Sequence, residues 1–189
     1  MLTTFDAASV QCTAESGARR VALLELYTSE GCDSCPPADR WISSLPQHGL
    51  NAERVVMLGF HVDYWNYLGW KDPYARAEYS ARQRTASRRS GARVIYTLQL
   101  LLNGRDYRRG AFTDDIDSRV RALNQEKPGP RIRLKMNTES PGVLLVQGTA
   151  DVTDAAEPGD ARAYLAIYEN NLFSHSGDVL QALVIPNCR

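Results

Sequence analysis

Cys32 and Cys35 carry the most chemistry in this sequence, with only Asp33 and Ser34 between them. Two thiols at that spacing close a small disulfide when they sit at the start of a helix. A thiolate on the first attacks a disulfide, a mixed disulfide forms, and the second thiol resolves it. Cys32 is therefore expected to be the exposed nucleophile and Cys35 the buried resolving thiol. Backbone N–H groups and the helix dipole favour a thiolate there, with Gly31 allowing close backbone approach. Asp33 places a negative charge beside the nucleophile and opposes ionisation, whereas Ser34 can donate a hydrogen bond to it. The balance predicts a moderately activated thiol rather than a strongly oxidising disulfide. The blander reading of the same pair is a structural disulfide or a metal clip.

Three further groups could serve that pair. Glu25 interrupts an apolar run, and a buried carboxylate needs a partner or a proton. It is read either as a proton-transfer group for the cysteines or as the partner of an arginine. His61-Val62-Asp63 could orient a substrate, move protons, or complete a metal site of Cys32, Cys35 and His61; the plain alternative is a hydrogen-bonded pair anchoring the loop that follows. Tyr64, Trp65, Tyr67 and Trp70 are expected either in core packing or on a peptide-binding surface. Cys12 and Cys188 could pair, although their separation says nothing about geometry. A structural zinc site would ask for a second close pair of ligands, and none follows.

The elements that must position these groups are legible as patterns. Residues 21–27 form a nearly continuous apolar run, the mark of a strand buried on both faces. After the cysteines, Pro36-Pro37 suits a first helical turn, and Ala38, Trp41, Ile42 and Leu45 fall on one helical face. Residues 54–61 read as a second strand, and an aromatic loop closed by Asp72-Pro73 follows. Residues 74–90 are predicted to be a helix with an alanine inner face and an arginine-rich outer one. Residues 94–96 and 98–102 read as strand, Asn103-Gly104 as a hairpin turn, and Tyr107 as the start of the returning strand. A last helix, 114–123, buries Ile116, Val120 and Leu123. The order strand, C-x-x-C, helix, strand, helix, hairpin, helix is the thioredoxin plan. Lys127-Pro128-Gly129-Pro130 then looks like a linker. Beyond it, residues 131–137, 143–146 and 163–167 are strand candidates of a small antiparallel unit packed beside the first. The expectation is an α/β chain: a thioredoxin-like mixed sheet flanked by helices over 18–126, then a β-rich C-terminal extension over 131–189.

Composition narrows the partners. The chain has 189 residues, 43% hydrophobic and 23% charged, with 22 basic and 22 acidic side chains. That balance supplies no field for nucleic acid or anionic membrane. The arginines from Arg76 through Arg82, Arg84, Arg88 and Arg89 to Arg93 read as a solvated helix face. No apolar run approaches the roughly 20 residues of a membrane span. Residues 1–11 show neither a basic n-region nor an apolar h-region. No cofactor is called for, and the expected partners are protein or small-molecule thiols and disulfides.

The segments 25–39 (ELYTSEGCDSCPPAD), 60–73 (FHVDYWNYLGWKDP), Ala81-Arg82-Gln83-Arg84 and Tyr96-Thr97-Leu98-Gln99, up to Asn103-Gly104, resemble an uncharacterised bacterial family of thioredoxin-like proteins, often exported. The resemblance covers residues 21–110. It implies a thioredoxin-like fold with a β-rich extension and a periplasmic or secreted location. It implies no substrate. Thioredoxins place a buried aspartate six residues before the first cysteine, where it takes the resolving thiol's proton; here the acid is Glu25, seven before. Proline is expected where Leu98 stands, and in thioredoxins that proline is cis, facing the disulfide and holding extended substrates. Thr97 and Leu98, with Trp65 and Tyr64, are thus the substrate-binding candidates. A cis bond before a non-proline costs about 2.5–4 kcal/mol, so Thr97–Leu98 is expected to be trans, opening room beside the sulfurs. After residues 168–171 the likeness fades, and the extension ending at Arg189 is expected to be truncated. The leading function is a thiol–disulfide oxidoreductase using Cys32 and Cys35. The alternatives are a metal-binding or metal-delivery protein, or an interaction module in which the pair staples a helix start.

Overall fold

The structure, a computed structural model, describes residues 11–92, 94–107, 115–140, 143–152 and 163–167. In chain order its elements are β1 (Gln11–Glu15), β2 (Ala22–Thr28), α1 (Pro36–Ser44), β3 (Val55–His61), α2 (Ala77–Arg89), β4 (Gln99–Leu102), β5 (Arg105–Asp106), α3 (Ile116–Gln125), β6 (Arg131–Ser140) and β7 (Val143–Asp151). They form a mixed α/β arrangement with two sheets, one in each of two compact units.

The unit that holds residues 21–92, 94–107 and 115–125 is built on a four-stranded sheet in the order β3-β2-β4-β5. β2 runs parallel to β3, with Thr28 opposite His61, and antiparallel to β4. The apolar run predicted a strand covered on both faces, and β2 is buried along nearly its whole length. Alternation then sorts its side chains. Leu24 and Leu26 join Ala38 and Ile42 of α1 and Ile116 and Val120 of α3 in the main core. Tyr27 points the other way, packing with Val62, Leu101, Phe60 and Ala86 of α2. Helices α1 and α3 therefore cover one face and α2 the other.

Several local expectations change. Helix α2 turns little alanine inward: Ala77 and Ala81 are exposed, Ala86 is half-buried against the Tyr27 cluster, and the buried residues are Ser80, Gln83 and Ser87. The reason is polar demand from what it covers. Gln83 Nε2 donates to the Tyr96 carbonyl at 2.9 Å and to Gln99 Oε1 at 2.8 Å, and Ser80 Oγ donates to Asp63 Oδ1 at 2.5 Å. Residues 94–96 are not strand; β4 begins at Gln99, and the returning strand is β5, ending just before Tyr107. The Thr97–Leu98 bond is cis, correcting the expected trans form. The segment is clamped from both sides. Thr97 Oγ1 bonds to Trp65 and Tyr64, and Leu98 packs on the main core. These contacts hold a shape that a proline ring was expected to provide.

The second unit is an antiparallel sheet in the order β1-β6-β7. Its strand β1, opposite Lys135 and Met136 at Thr13 and Cys12, was not anticipated. Residues 163–167 were a strand candidate and carry no strand. Cys188 and residues 168–189, where the extension was expected to end, lie outside the described residues, and so does the Cys12–Cys188 pairing.

Leu26→Ala removes a fully buried side chain from between β2 and α1. Urea unfolding is expected to show a loss of about 2–5 kcal/mol with an unchanged m-value.

Candidate functional site

Cys32 and Cys35 form a disulfide, with Cα atoms 5.4 Å apart, immediately before α1. A tight turn builds it: the Cys32 N–H donates to the Ser29 carbonyl at 3.1 Å and the Cys35 N–H to the Cys32 carbonyl at 3.0 Å. Cys35 is the N-cap residue of α1. Ser34 Oγ lies 3.5 Å from Cys32 Sγ, as expected of a hydroxyl able to bond it.

Two expectations about this turn are corrected. Cys32 is not exposed: it is 1% accessible and Cys35 0%, while Asp33 and Ser34 face solvent. The polar dipeptide occupies the outside of the turn, so the sulfurs point inward. Gly31 is also not required for close approach. A Cβ there would meet Ser29 Oγ at 3.7 Å and Trp65 Cβ at 3.8 Å, which are ordinary contacts.

The helix start offers the sulfurs fewer donors than a C-x-x-C motif suggests. Pro36 and Pro37 have no N–H, and those of Ala38 and Asp39 both donate to the Cys35 carbonyl. What the first turn of α1 brings inward instead is a carboxylate. Asp39 is 8% exposed and accepts a hydrogen bond from Thr28 Oγ1 at 3.3 Å.

Glu25 is buried, as expected, and on the face of β2 turned to α2. Glu25 Oε1 accepts two hydrogen bonds, one from Arg82 Nε at 2.7 Å and one from the Tyr27 hydroxyl at 3.2 Å. Of the two readings of Glu25, the arginine pairing is the one present. Burial raises the Tyr27 hydroxyl pKa, and the Glu25 charge raises it further. For Arg82, burial works against the charge, but Glu25 outweighs it and the guanidinium is held more firmly protonated.

His61 and Asp63 part company. β3 stops at His61, and Asp63 opens a 3₁₀ turn, Asp63–Leu68, whose charge meets Ser80. The His61 partner is Asp72: Nδ1 lies 2.6 Å from Oδ2. The same carboxylate accepts the N–H of Glu30 at 2.9 Å and of Tyr74 at 2.9 Å, while the Asp72 N–H donates to Asn66 Oδ1. Asp72 thereby ties the approach to the cysteine turn, the end of β3 and the aromatic turn together. Sequence reasoning saw only the turn signal of Asp72-Pro73. Asp39 was missed as well, although its spacing of four from Cys35 and three from Ile42 marks the buried stripe of α1.

Of the aromatic residues, Tyr64 and Trp65 pack against the second core, while Tyr67 and Trp70 are exposed at 81% and 48%. Trp65 Nε1 donates to Thr97 Oγ1 at 2.9 Å, Thr97 donates to the Tyr64 hydroxyl at 2.6 Å, and Tyr64 donates to Gln83 Oε1 at 3.1 Å. The substrate-binding candidates Thr97, Trp65 and Tyr64 are thus joined in one hydrogen-bonded chain, beside the turn that carries Gly31. The metal alternative is not assembled: among the described residues no three His, Cys, Asp or Glu side chains are grouped to hold an ion.

The Asp72 carboxyl gives a pH test. Burial pushes it up, but the hydrogen bonds from His61 and from the N–H groups of Glu30 and Tyr74 outweigh burial and hold it below the ordinary 3.8. Its folded pKa is below its unfolded one, so its contribution is complete above the ordinary carboxylate range and is lost as pH falls through the folded value. Asp72→Asn is expected to cost about 1–3 kcal/mol at pH 7. Urea unfolding at pH 7 and pH 3 should show the variant losing less stability on acidification than the parent.

None of the curated proteins matches the chain. The crystal structure of protein AGR_C_4864 from Agrobacterium tumefaciens is similar, 37% identical over 61% of this chain and 56% of that one, with a TM-score of 0.49. The chain thus spans a little over half the length of that protein. The family described as proteins of unknown function, DUF1223, matches residues 23–177, and the chain belongs to that family.

Proposed function

We propose that Cys32 and Cys35 are a redox couple on a thioredoxin-like domain, exchanging with protein or small-molecule thiols and disulfides. The observation that carries this reading is the disulfide itself, at the first turn of α1 and directly after the buried strand β2. The element order around it, with β2 and β3 parallel and β4 and β5 returning antiparallel, supports the thioredoxin-like plan. A bridge over so short a loop stabilises by only about 2 kcal/mol on a chain-entropy account, less than a longer loop would give. That is a weak reason to keep a staple, and a better one to keep a dithiol.

Both sulfurs are buried, so a thiolate from solvent has no line of attack in this closed form. Exchange then requires the cysteine turn to open, and Trp65 is the neighbouring side chain beside Gly31 on that turn. The same burial favours a second reading, a structural staple at the helix start. A redox couple of this kind stays oxidised in an exported compartment, and we place the protein in the periplasm or outside the cell.

Equilibration in thiol redox buffers, with trapping of Cys32 and Cys35 for mass spectrometry, separates the two readings. A couple is expected to cycle reversibly near or below the roughly −270 mV of reducing thioredoxins, and Cys32→Ser is expected to abolish turnover of a disulfide substrate. A bridge that never opens short of unfolding would leave the staple. Trp65→Ala is expected to speed reduction by a small dithiol about tenfold, since exchange rates follow access to the sulfur; an unchanged rate would remove Trp65 as the cover.

A further inference from the structure

We infer that Asp39, on the first turn of α1, is the acid–base partner of the Cys35 thiol, in the place first assigned to Glu25. The inference deepens the redox reading and rests on it for its purpose. It begins with the two faces of β2. Glu25 and Tyr27 point to α2, where Arg82 and Phe60 meet them. Leu24, Leu26 and Thr28 point to the face that α1 covers, and α1 begins at the cysteines. A proton cannot pass from Cys35 to Glu25 without crossing the sheet.

Asp39 is on the correct side. Cys35, Ala38, Asp39 and Ile42 are spaced as one buried helical stripe, and residues four apart on a helix lie about 5–6 Å apart at Cβ. Cys35 has helical backbone angles, and the Asp39 N–H donates to its carbonyl at 3.2 Å, so the register holds through this turn. Asp39 is 8% exposed, and the hydroxyl of Thr28, at the end of β2, donates to its carboxylate. Among the described residues, titratable groups on this sheet face include His61, paired in register with Thr28, the Asp72 that holds it, and Tyr107, which donates to Asp115. Across β2 stand Glu25, Tyr27 and Arg82.

The step is balanced with a disulfide substrate as oxidant. The Cys32 thiolate attacks one substrate sulfur, forming a mixed disulfide and releasing the first substrate thiolate. The Cys35 S–H gives its proton to the Asp39 carboxylate. The resulting thiolate attacks Cys32 Sγ, the Cys32–Cys35 bond forms, and the second substrate thiolate leaves. Two electrons pass from the dithiol to the substrate. Reduction of the pair runs the same sequence backwards, with the Asp39 carboxylic acid returning the proton.

The test reads the thiol directly and needs no turnover. In Cys32→Ser protein the Cys35 Cβ resonance is titrated by NMR, with and without Asp39→Asn. A neighbouring carboxylate raises a thiol pKa, so removing its charge is expected to lower the Cys35 pKa by about one unit, a tenfold gain in thiolate. Glu25→Gln in the same background is expected to leave it within a few tenths. Should Asp39→Asn fail to fold, the Asp39 carboxyl resonance of the reduced parent protein decides the matter. It should show a second inflection as the thiols ionise, and Cys35→Ser should remove it. A Cys35 titration indifferent to Asp39, or a carboxyl resonance blind to the thiols, overturns the assignment even if the pair exchanges disulfides. Coupling without any exchange activity would leave Asp39 in place and remove the redox reading instead.

Discussion

A strand has two faces, and which side chains of β2 lie on which face decides most of what this protein can do. Side-chain direction reverses at every residue, so a shift of one position moves a group from one layer to another. Glu25 and Tyr27 therefore belong with α2, and Leu24, Leu26 and Thr28 with α1. Each assignment calls for its own compensation. The buried Glu25 carboxylate is supplied with Arg82 from α2, whose guanidinium also lies over the Phe60 ring at 5.4 Å. On the other face, the Asp39 carboxylate meets Thr28 at the point where β2 gives way to the cysteine turn.

The polar inner surface of α2 follows from the same constraint. Gln99 is fully buried on β4, on the α2 side of the sheet, and an unpaired amide there would be costly. Gln83 and Ser87 both donate to its Oε1, and Gln83 also receives the Tyr64 hydroxyl. From there the chain of donors continues through Thr97 to Trp65, each hydroxyl giving one hydrogen and taking another. Among the described residues Gln99 Nε2 is left without a partner, while the linked hydroxyls and amides from Gln83 to Trp65 hold one another in register. That chain of donors sets the aromatic turn against the segment before β4, while Asp72 fastens the other end of that turn to Glu30 and His61. The aromatic turn beside Gly31 is thereby held at both of its ends.

Where the sequence carried a period, it was informative. The nearly continuous apolar run of β2, the stripe of α1 and the strand ending at His61 lie within one or two residues of their expected bounds. The cysteine pair sits where strand and helix patterns meet. Periodicity says nothing about what a polar side chain finds across a sheet, so alanine reads as the inner face of α2 where Ser80, Gln83 and Ser87 stand, and Asp72 as a turn residue. It also gives no depth to a loop, which is why Cys32 reads as exposed. β1 pairs with β6, more than a hundred positions along the chain, and a five-residue strand with such a remote partner leaves almost no local mark. Asp39 was hidden differently: its spacing fits the buried face, but a carboxylate on an apolar stripe is discounted as a helix-dipole acid until its neighbours are known.

The two prolines after Cys35 link the architecture to the chemistry. A helix start stabilises a thiolate through free N–H groups as much as through the dipole. Here the first two helical residues supply none, and the next two N–H groups are committed to the Cys35 carbonyl. A reduced form whose thiolate receives little help is disfavoured against the disulfide, which asks for no charge stabilisation at all. Burial acts in the same direction, since a thiolate enclosed with Asp39 and away from water is penalised twice, by desolvation and by like charge. The disulfide is thus the form that this turn, this helix start and this carboxylate together favour.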